Sequence, residues 1–109
     1  GFGGFAMAAA PAIVQFVGGQ VADALRFSRT MRKITVGVNR TFSIPSLDFS
    51  GSATGIDLVK VVESGTLPII NTGIAHKDPG VGQVGAGLTN PPWVCFHEAF
   101  AAFAQRFSD

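Results

Sequence analysis

The chain has 109 residues, of which 47% are hydrophobic and 14% are charged, and its formal net charge is +1. A chain of this length forms one domain at most, and its near-neutral charge argues against nucleic acid as a partner. Folded domains carry about a quarter charged residues, so this chain is short of polar side chains for its surface. We therefore expect residues 1–109 to be a single domain or a C-terminal fragment of a longer chain, and to bury surface against that chain or in an oligomer.

Cysteine use and the apolar N-terminal run bear on where the protein works. Cys95 is the single cysteine, so it has no disulfide partner within the chain, and we predict a core thiol and a reducing cytoplasm. Residues 2–19 are apolar apart from Gln15, and a run of this length allows a transmembrane interpretation. Pro11 and the many glycines and alanines make the run only weakly hydrophobic, so we favour a buried helix and no membrane contact.

The first half of the chain predicts two helices and one strand. Alanine-rich residues 5–17 favour a helix that is kinked at Pro11. A second helix is predicted over residues 20–33, and its inward side chains are Val21, Ala22, Leu25 and Met31. Alternating β-branched residues predict a short strand over residues 34–39. An irregular crossing follows up to residue 55, with four inward apolar anchors: Phe42, Ile44, Leu47 and Phe49.

The middle of the chain predicts one short helix and one short strand. Asp57 suits the first turn of a helix that Ser52 or Thr54 caps. Gly65 is expected to end this helix as its C-cap. Residues 66–71 then predict a buried strand that leads into the glycine-rich segment.

Two prolines and an aromatic stripe define the last helix. Pro91 and Pro92 open it, because proline is well tolerated in a first turn. Aromatic side chains recur there at spacings of three and four: Trp93, Phe96, Phe100, Phe103 and Phe107. We favour the core face of a terminal helix as the interpretation of this stripe, and a docking surface for a partner is the alternative. The predicted fold class is α+β, with helices at both ends around a short β core and a long glycine-rich loop.

The glycine-rich loop carries the clearest indication of function. Residues 71–87 read NTGIAHKDPGVGQVGAG and include five glycines. Glycine-rich backbone can point several N–H groups at a phosphate or carboxylate, and His76 can donate a hydrogen bond or relay a proton. The predicted anion-binding residues are Asn71, Thr72, Gly73, Lys77, Gly80, Gly82, Gln83, Gly85 and Gly87. The alternative is a tight structural crossing in which His76 has no chemical role.

Other motifs are less specific. GVGQVG over residues 80–85 matches the dinucleotide pattern G-x-G-x-x-G, but it neither follows a strand directly nor opens a helix, so no nucleotide site is expected. Asp48 is the second catalytic candidate, because a carboxylate among inward anchors needs partners. Asp57 is interpreted chiefly as a helix-start residue, and the run SGSATG between these two acids is predicted to be a loop. No H-x-x-x-H or C-x-x-C spacing indicates a metal ion, and we predict no cofactor.

Taken in order, these motifs resemble one bacterial family. The run LDFSGSATGIDLVKVVESGTLPIINTGIAHKDPGVGQVGAG, followed by NPPWVCF, resembles the C-terminal part of the YlbE/YahG-type family, long described as a domain of unknown function. The earlier run MRKITVGVNRTFSIPSLDF fits the same pattern. The motif residues shared with the family include Asp48, Gly51 and Asp57 beside those of the glycine-rich loop.

The resemblance implies an activity and partners. One branch of the family is a subunit of an oxamate carbamoyltransferase of anaerobic allantoin breakdown, which converts oxalurate and phosphate to oxamate and carbamoyl phosphate. The resemblance suggests that glycine N–H groups hold phosphate, that Asn71 and Thr72 orient the amide, and that His76 assists proton transfer. The resemblance also implies that the chain functions as part of a longer protein and together with partner subunits. The chain alone is expected to be inactive. The non-enzymatic alternative is an assembly module that docks a partner through its phenylalanine-rich helix.

Overall fold

The computed structural model describes residues 2–12, 14 and 19–108. In this part of the chain the fold is α+β, as predicted, with helices at both ends and two antiparallel two-stranded sheets between them. No helix among these residues is long and apolar enough to cross a membrane.

The N-terminal segment is less regular than predicted. Helix α1 (Phe2–Phe5) ends where the predicted helix over residues 5–17 should begin, and a 3-10 turn (Met7–Ala9) follows a bend. Residues 13 and 15–18 of that prediction lie outside the described residues. Helix α1 packs so closely against the chain before the second sheet that a Cβ on Gly4 would lie 2.0 Å from the Ile69 carbonyl oxygen. Helix propensity depends on neighbouring residues in the sequence, so it cannot predict such a long-range contact.

Helix α2 (Val21–Met31) confirms the second predicted helix but turns a different face inward. Its buried side chains are Ala24, Ser28 and Met31. The predicted inward face is wrong at Val21 and Ala22, which are exposed. Small residues face inward because the N-terminal segment lies close to them: the Ala8 N–H donates to Ser28 Oγ at 2.9 Å.

The first sheet is more extensive than predicted. Strands β1 (Thr35–Ile44) and β2 (Ser50–Ile56) pair antiparallel through a 3-10 turn, Pro45–Leu47. The run SGSATG, predicted as a loop, is therefore strand β2. Its small residues have little strand propensity, but they allow a close approach: a Cβ on Gly51 would lie 2.5 Å from the Asn39 carbonyl oxygen. Pairing overrides propensity at this strand.

Two of the four predicted anchors between these strands reach the core. Ile44 and Leu47 are buried, as predicted, whereas Phe42 and Phe49 are 53% and 70% exposed, so the prediction is wrong for these two. Asp48 and Phe49 have left-handed φ values of 55° and 56°. This backbone is costly for a bulky residue, and it reverses the chain so that Phe49 faces solvent. Asp48 is exposed as well. It was a catalytic candidate because a buried carboxylate needs partners, and this reason does not apply to an exposed one.

Helix α3 (Leu58–Ser64) confirms the predicted short helix. The residues predicted for its two ends are confirmed at Asp57 and Gly65 and wrong for the side-chain cap. Asp57 starts it as the N-cap, where its carboxylate accepts two backbone N–H groups of the first turn at 2.9 and 3.2 Å. Ser52 and Thr54, the predicted caps, are wrong because they lie in β2. Gly65 is the C-cap, as predicted, with a left-handed φ of 67°.

The segment predicted as a long glycine-rich loop is a β-hairpin. Strands β3 (Ile70–Ala75) and β4 (Gln83–Thr89) pair antiparallel. The predicted buried strand over residues 66–71 begins only at Ile70, whose side chain is 42% exposed. Most of the predicted loop thus consists of paired strands, and its free backbone is confined to the tip, residues 76–82.

Helix α4 (Trp93–Phe107) follows Pro92, which is its N-cap. Trp93 and Phe96 pack against the core, whereas Phe103 and Phe107 are 49% and 67% exposed. The predicted core face therefore exists only near the start of α4. Cys95 on the same helix is exposed, so the predicted core thiol is wrong.

The N-terminal segment lies at the centre of the described core. It supplies Phe5, Met7 and Ala8, one to each of three clusters of buried apolar side chains. Met31 of α2 and Val61 of α3 join Phe5 in the cluster that also contacts α4. Phe5, Met7 and Ala8 of the apolar N-terminal run are thus core anchors.

The chain exposes more surface than a folded monomer of its size. Its accessible surface is 6996 Å², against about 5,700 Å² expected for its mass, a surplus of about 1,300 Å². Its radius of gyration is 15.9 Å, compared with about 13 Å for a compact domain of this length. Both values fit the low charge content, and the surplus is the area that further packing could cover.

Candidate functional site

The candidate site is the β3–β4 hairpin, because it holds most of the predicted site residues. Its register pairs Asn71 with Leu88, Thr72 with Gly87 and Ile74 with Gly85, and a bulge lies beside Val84. The glycines of β4 each lie beneath a side chain of β3: a Cβ on Gly85 would lie 3.2 Å from Ile74 Cδ1. A strand made of small residues therefore fits under the larger side chains of its partner.

The tip of the hairpin, residues 76–82, brings His76, Lys77, Gly80 and Gly82 together. The His76 N–H donates to the Gly82 carbonyl at 2.8 Å and closes the tip. Gly80 and Gly82 have positive φ values of 85° and 86°, a backbone that glycine adopts at little cost. The sharp turn after Pro79 depends on these two residues.

The imidazole of His76 is oriented by its own loop. Its Nδ1 accepts the Asp78 backbone N–H at 3.0 Å and lies 3.7 Å from an Asp78 carboxylate oxygen. A neutral ring that accepts at Nδ1 carries its proton on Nε2. In this arrangement His76 is suited to donating a hydrogen bond from Nε2. Asp78, which sequence reasoning did not include, is the residue that sets this orientation.

The strand residues of the predicted set are separated by the pleat. Asn71 and Thr72 are consecutive in β3, so their side chains point to opposite faces of the hairpin. Thr72 Oγ1 donates to the Gly87 carbonyl at 2.9 Å, and the Gln83 side-chain amide donates to the Gly85 carbonyl at 2.9 Å. These two side chains thus stabilise the hairpin, and the geometry does not bring Asn71 and Thr72 to one ligand.

The remaining predicted residues lie on other elements. Asp48 and Gly51 belong to the turn and second strand of the first sheet, and Asp57 caps α3. Arg32 braces this region, because its guanidinium donates to Ser50 Oγ at 2.7 Å and to the Gly51 carbonyl at 3.1 Å. The contacts of Gly51 and Asp57 are those of structural residues.

Nucleotide binding through GVGQVG is inconsistent with the fold. The motif begins in the hairpin tip and continues into β4, whereas a dinucleotide fingerprint joins a strand to the start of a helix. Within the described part of the chain, no three His, Cys, Asp or Glu side chains cluster so as to hold a metal ion.

Two surface grooves can be described away from the tip. One, of about 360 Å³, lies between α2, residues 66–69 and the end of β4. The other, of about 400 Å³, lies between the N-terminal segment and the first sheet. Neither of these two grooves is lined by a predicted site residue. The tip that holds His76, Lys77, Gly80 and Gly82 therefore lies outside both grooves, and it encloses a ligand only if another surface faces it.

This architecture defines an α+β unit that presents a glycine-bearing hairpin beyond its core, and comparisons with known proteins show which proteins it resembles. No protein-family model matches the chain. The uncharacterized protein YahG of Escherichia coli (strain K12) is 54% identical over 107 residues, covering 98% of this chain and 23% of YahG. The oxamate carbamoyltransferase subunit AllG of the same organism is 47% identical over 106 residues, covering 96% of this chain and 25% of AllG.

A solved structure shows the same fold. The crystal structure of a conserved protein of unknown function from Enterococcus faecalis V583 matches with a TM-score of 0.81 and 60% sequence identity, over 94% of this chain and 24% of that one. The chain is similar to YahG and AllG over nearly its whole length, which confirms the resemblance seen in the sequence. It spans about a quarter of the length of these relatives.

Proposed function

We propose that the chain is part of a carbamoyltransferase subunit and that its hairpin tip contributes to a site for a small anion. The observation that carries this proposal is the 47% identity to the oxamate carbamoyltransferase subunit AllG over nearly the whole chain. The proposed reaction is that of oxalurate with phosphate, giving oxamate and carbamoyl phosphate. The proposed compartment is the cytoplasm.

The tip offers two donors of complementary kind. His76 Nε2–H can donate to an oxygen of the anion, and the exposed Lys77 can neutralise its charge. Backbone N–H groups of the turn at Gly80 and Gly82 can add further hydrogen bonds. When phosphate attacks the carbamoyl carbon and the C–N bond breaks, the leaving nitrogen takes up the proton of hydrogen phosphate, and His76 Nε2–H can stabilise the charge that develops during this transfer by donating a hydrogen bond. The proposed cradle is thus smaller than the loop predicted from the sequence.

An exposed tip cannot exclude water by itself, and catalysis by hydrogen bonding is strongest where water is excluded. The surplus surface of about 1,300 Å² exceeds the roughly 800 Å² that each partner buries in a standard interface. We therefore propose that the remainder of a longer protein, or a partner subunit, closes over the tip and that the isolated chain is inactive.

The test is calorimetric titration of phosphate, carbamoyl phosphate and oxamate into the full-length polypeptide that carries this chain. Each of His76→Ala and Lys77→Ala should weaken binding of at least one of these anions about tenfold, the loss expected for one charge-assisted hydrogen bond. Lys33→Ala is the matched control, because it removes an exposed lysine on another element. Equal affinity for all four proteins would contradict the proposed site.

A second candidate function is docking through α4. None of the described residues of α4 is buried, although five aromatic side chains recur at spacings of three and four along one face of it. A contiguous exposed apolar face of this kind is typical of an interaction site. Phe103 and Phe107, whose ring centroids lie 4.9 Å apart, would then be the anchors of an assembly contact.

The docking proposal is tested with Phe103→Ser and Phe107→Ser, using Phe49→Ser as an exposed control outside α4. In the 109-residue chain all three should change the unfolding free energy by less than about 0.5 kcal/mol, as exposed positions do. In the assembled protein the two α4 variants should dissociate in light scattering while the control stays assembled. An assembly that tolerates both α4 variants contradicts docking through this helix.

A further inference from the structure

The groove of about 360 Å³ beside α2 has the composition of a ligand site, and its lining includes neither the hairpin tip nor α4. Its volume falls in the range of small-molecule pockets. The partly buried Phe27 and Leu88 contribute apolar surface to it, and the fully buried Met31 lies behind them. Thr30, Thr89 and Asn90 supply hydroxyl and amide groups.

Arg26 is the charged member of the groove lining. One of its terminal nitrogens donates to Asp23 at 2.8 Å, and its guanidinium lies 4.8 Å from the ring centroid of Phe27. A guanidinium has five N–H donors, so the bond to Asp23 leaves donors for a ligand. The guanidinium is thus placed by two neighbours beside an apolar surface, as in sites that orient a carboxylate.

The polar groups around Arg26 are fixed by hydrogen bonds of their own. Thr30 Oγ1 donates to the Arg26 carbonyl at 2.8 Å, and the Asn90 side-chain amide donates to the Pro68 carbonyl at 2.8 Å. The Ile69 N–H donates to Met31 Sδ at 3.3 Å and joins the two walls of the groove. Ligand binding here would meet side chains that are already ordered.

We propose that this groove binds a small monocarboxylate with a flat apolar body. The single guanidinium matches one negative charge, and the Asp23 carboxylate next to it would repel a dianion. The apolar surface of Phe27 and Leu88 favours a ligand that carries a ring or short hydrocarbon, and disfavours a fully hydrated phosphate. The groove lies at the base of the hairpin, about 20 Å of strand from the tip, so it is a site distinct from the proposed anion cradle.

Benzoate is the probe, titrated into the full-length polypeptide by calorimetry, with benzamide as its neutral analogue of the same shape. Arg26→Gln should weaken benzoate binding about tenfold. Arg29→Gln is the matched control, because Arg29 is an exposed arginine on the same helix outside the groove lining. Asp23→Asn should strengthen binding, since it frees Arg26 from a competing carboxylate and keeps an oxygen for the Gln20 N–H.

Each outcome decides the proposal. Selective loss in Arg26→Gln, retention in Arg29→Gln and weak binding of benzamide support it. Absence of benzoate binding by the folded protein, equal losses in the two arginine variants, or equal binding of benzamide overturns it. His76→Ala, tested with benzoate in the same series, should have no effect, so that failure of the hairpin-tip site and failure of the groove are distinguishable.

Discussion

The N-cap of α3 gives a stability change that can be calculated from specific contacts. Asp57 Oδ1 accepts the Val59 and Lys60 N–H groups at 2.9 and 3.2 Å. Asp57→Ala removes both acceptor contacts from a helix of 7 residues, which is too short to be stable without support. The substitution should lower the free energy of unfolding by about 1 kcal/mol. Because α3 carries the fully buried Val61 into the cluster that contains Phe5 and Met31, fraying of this helix should also weaken the packing of that cluster.

The measurement is urea denaturation of the chain, with Asp57→Asn as the matched control. Asparagine keeps the capping oxygen and removes the charge, and it ranks with aspartate as an N-cap, so its unfolding free energy should stay close to that of the parent. In thermal unfolding the alanine variant should melt about 4–8 °C lower, as expected for 1 kcal/mol in a domain of this size. An unchanged midpoint for Asp57→Ala, or an equal loss for both variants, would refute the capping role and return Asp57 to the candidate functional residues.

Three further predictions follow from single contacts. Gly51→Ala should destabilise the first sheet by about 1–3 kcal/mol through overpacking, whereas Gly37→Ala, with no atom within 4 Å of its added Cβ, should cost much less in the same denaturation assay. The backbone hydrogen bond with Gln20 and the Arg26 side chain hold the pKa of the Asp23 carboxyl below its ordinary value of 3.8. The ionised carboxylate therefore stabilises the folded chain above about pH 4, and this contribution is lost as the pH falls through the lower pKa of the folded state. Asp23→Asn should make the unfolding free energy less dependent on pH in that window. Asp78→Asn should tighten binding of phosphate at the tip about threefold, because one exposed carboxylate no longer repels the anion. Calorimetric titration measures this affinity, and an unchanged or weaker affinity would contradict the prediction.

Sequence patterns predicted the helices better than the strands. The cap signals at Asp57 and Gly65 are local, because a carboxylate at a helix start and a left-handed glycine at its end need no distant partner. The inward face of α2 was predicted correctly at Met31 and incorrectly at Val21 and Ala22. The N-terminal segment packs against Ala24 and Ser28 instead. That segment lies next to α2 only in the folded chain.

The two sheets were underestimated for a physical reason that they share. Strand β2 consists largely of Gly, Ser and Ala, and the centre of β4 is Gly85, Ala86 and Gly87. These residues carry little strand propensity and no alternating hydrophobic pattern. Their strand conformation depends on partners, as Gly85 beneath Ile74 illustrates. A glycine-rich run therefore predicted a loop, and only pairing with β3 makes it a strand.

The candidate site was predictable in its residues and not in its geometry. The sequence identified His76 and Lys77 within the glycine-rich segment, and the structure places both at one tip. The pleat separates Asn71 from Thr72, and Asp78 orients the imidazole, neither of which spacing alone could indicate. Asp48 was selected because buried carboxylates need partners, and the left-handed backbone at Asp48 and Phe49 exposes it instead.

The most direct test of the proposed function is the rate of carbamoyl phosphate formation from oxalurate and phosphate by the full-length polypeptide assembled with its partner subunits. We predict turnover by the parent protein, a loss of about tenfold or more in His76→Ala, and an unchanged rate in Lys33→Ala. The same rate in His76→Ala and the parent would contradict a role for the hairpin tip in catalysis. No turnover by an assembled, folded parent protein would contradict the proposed reaction itself.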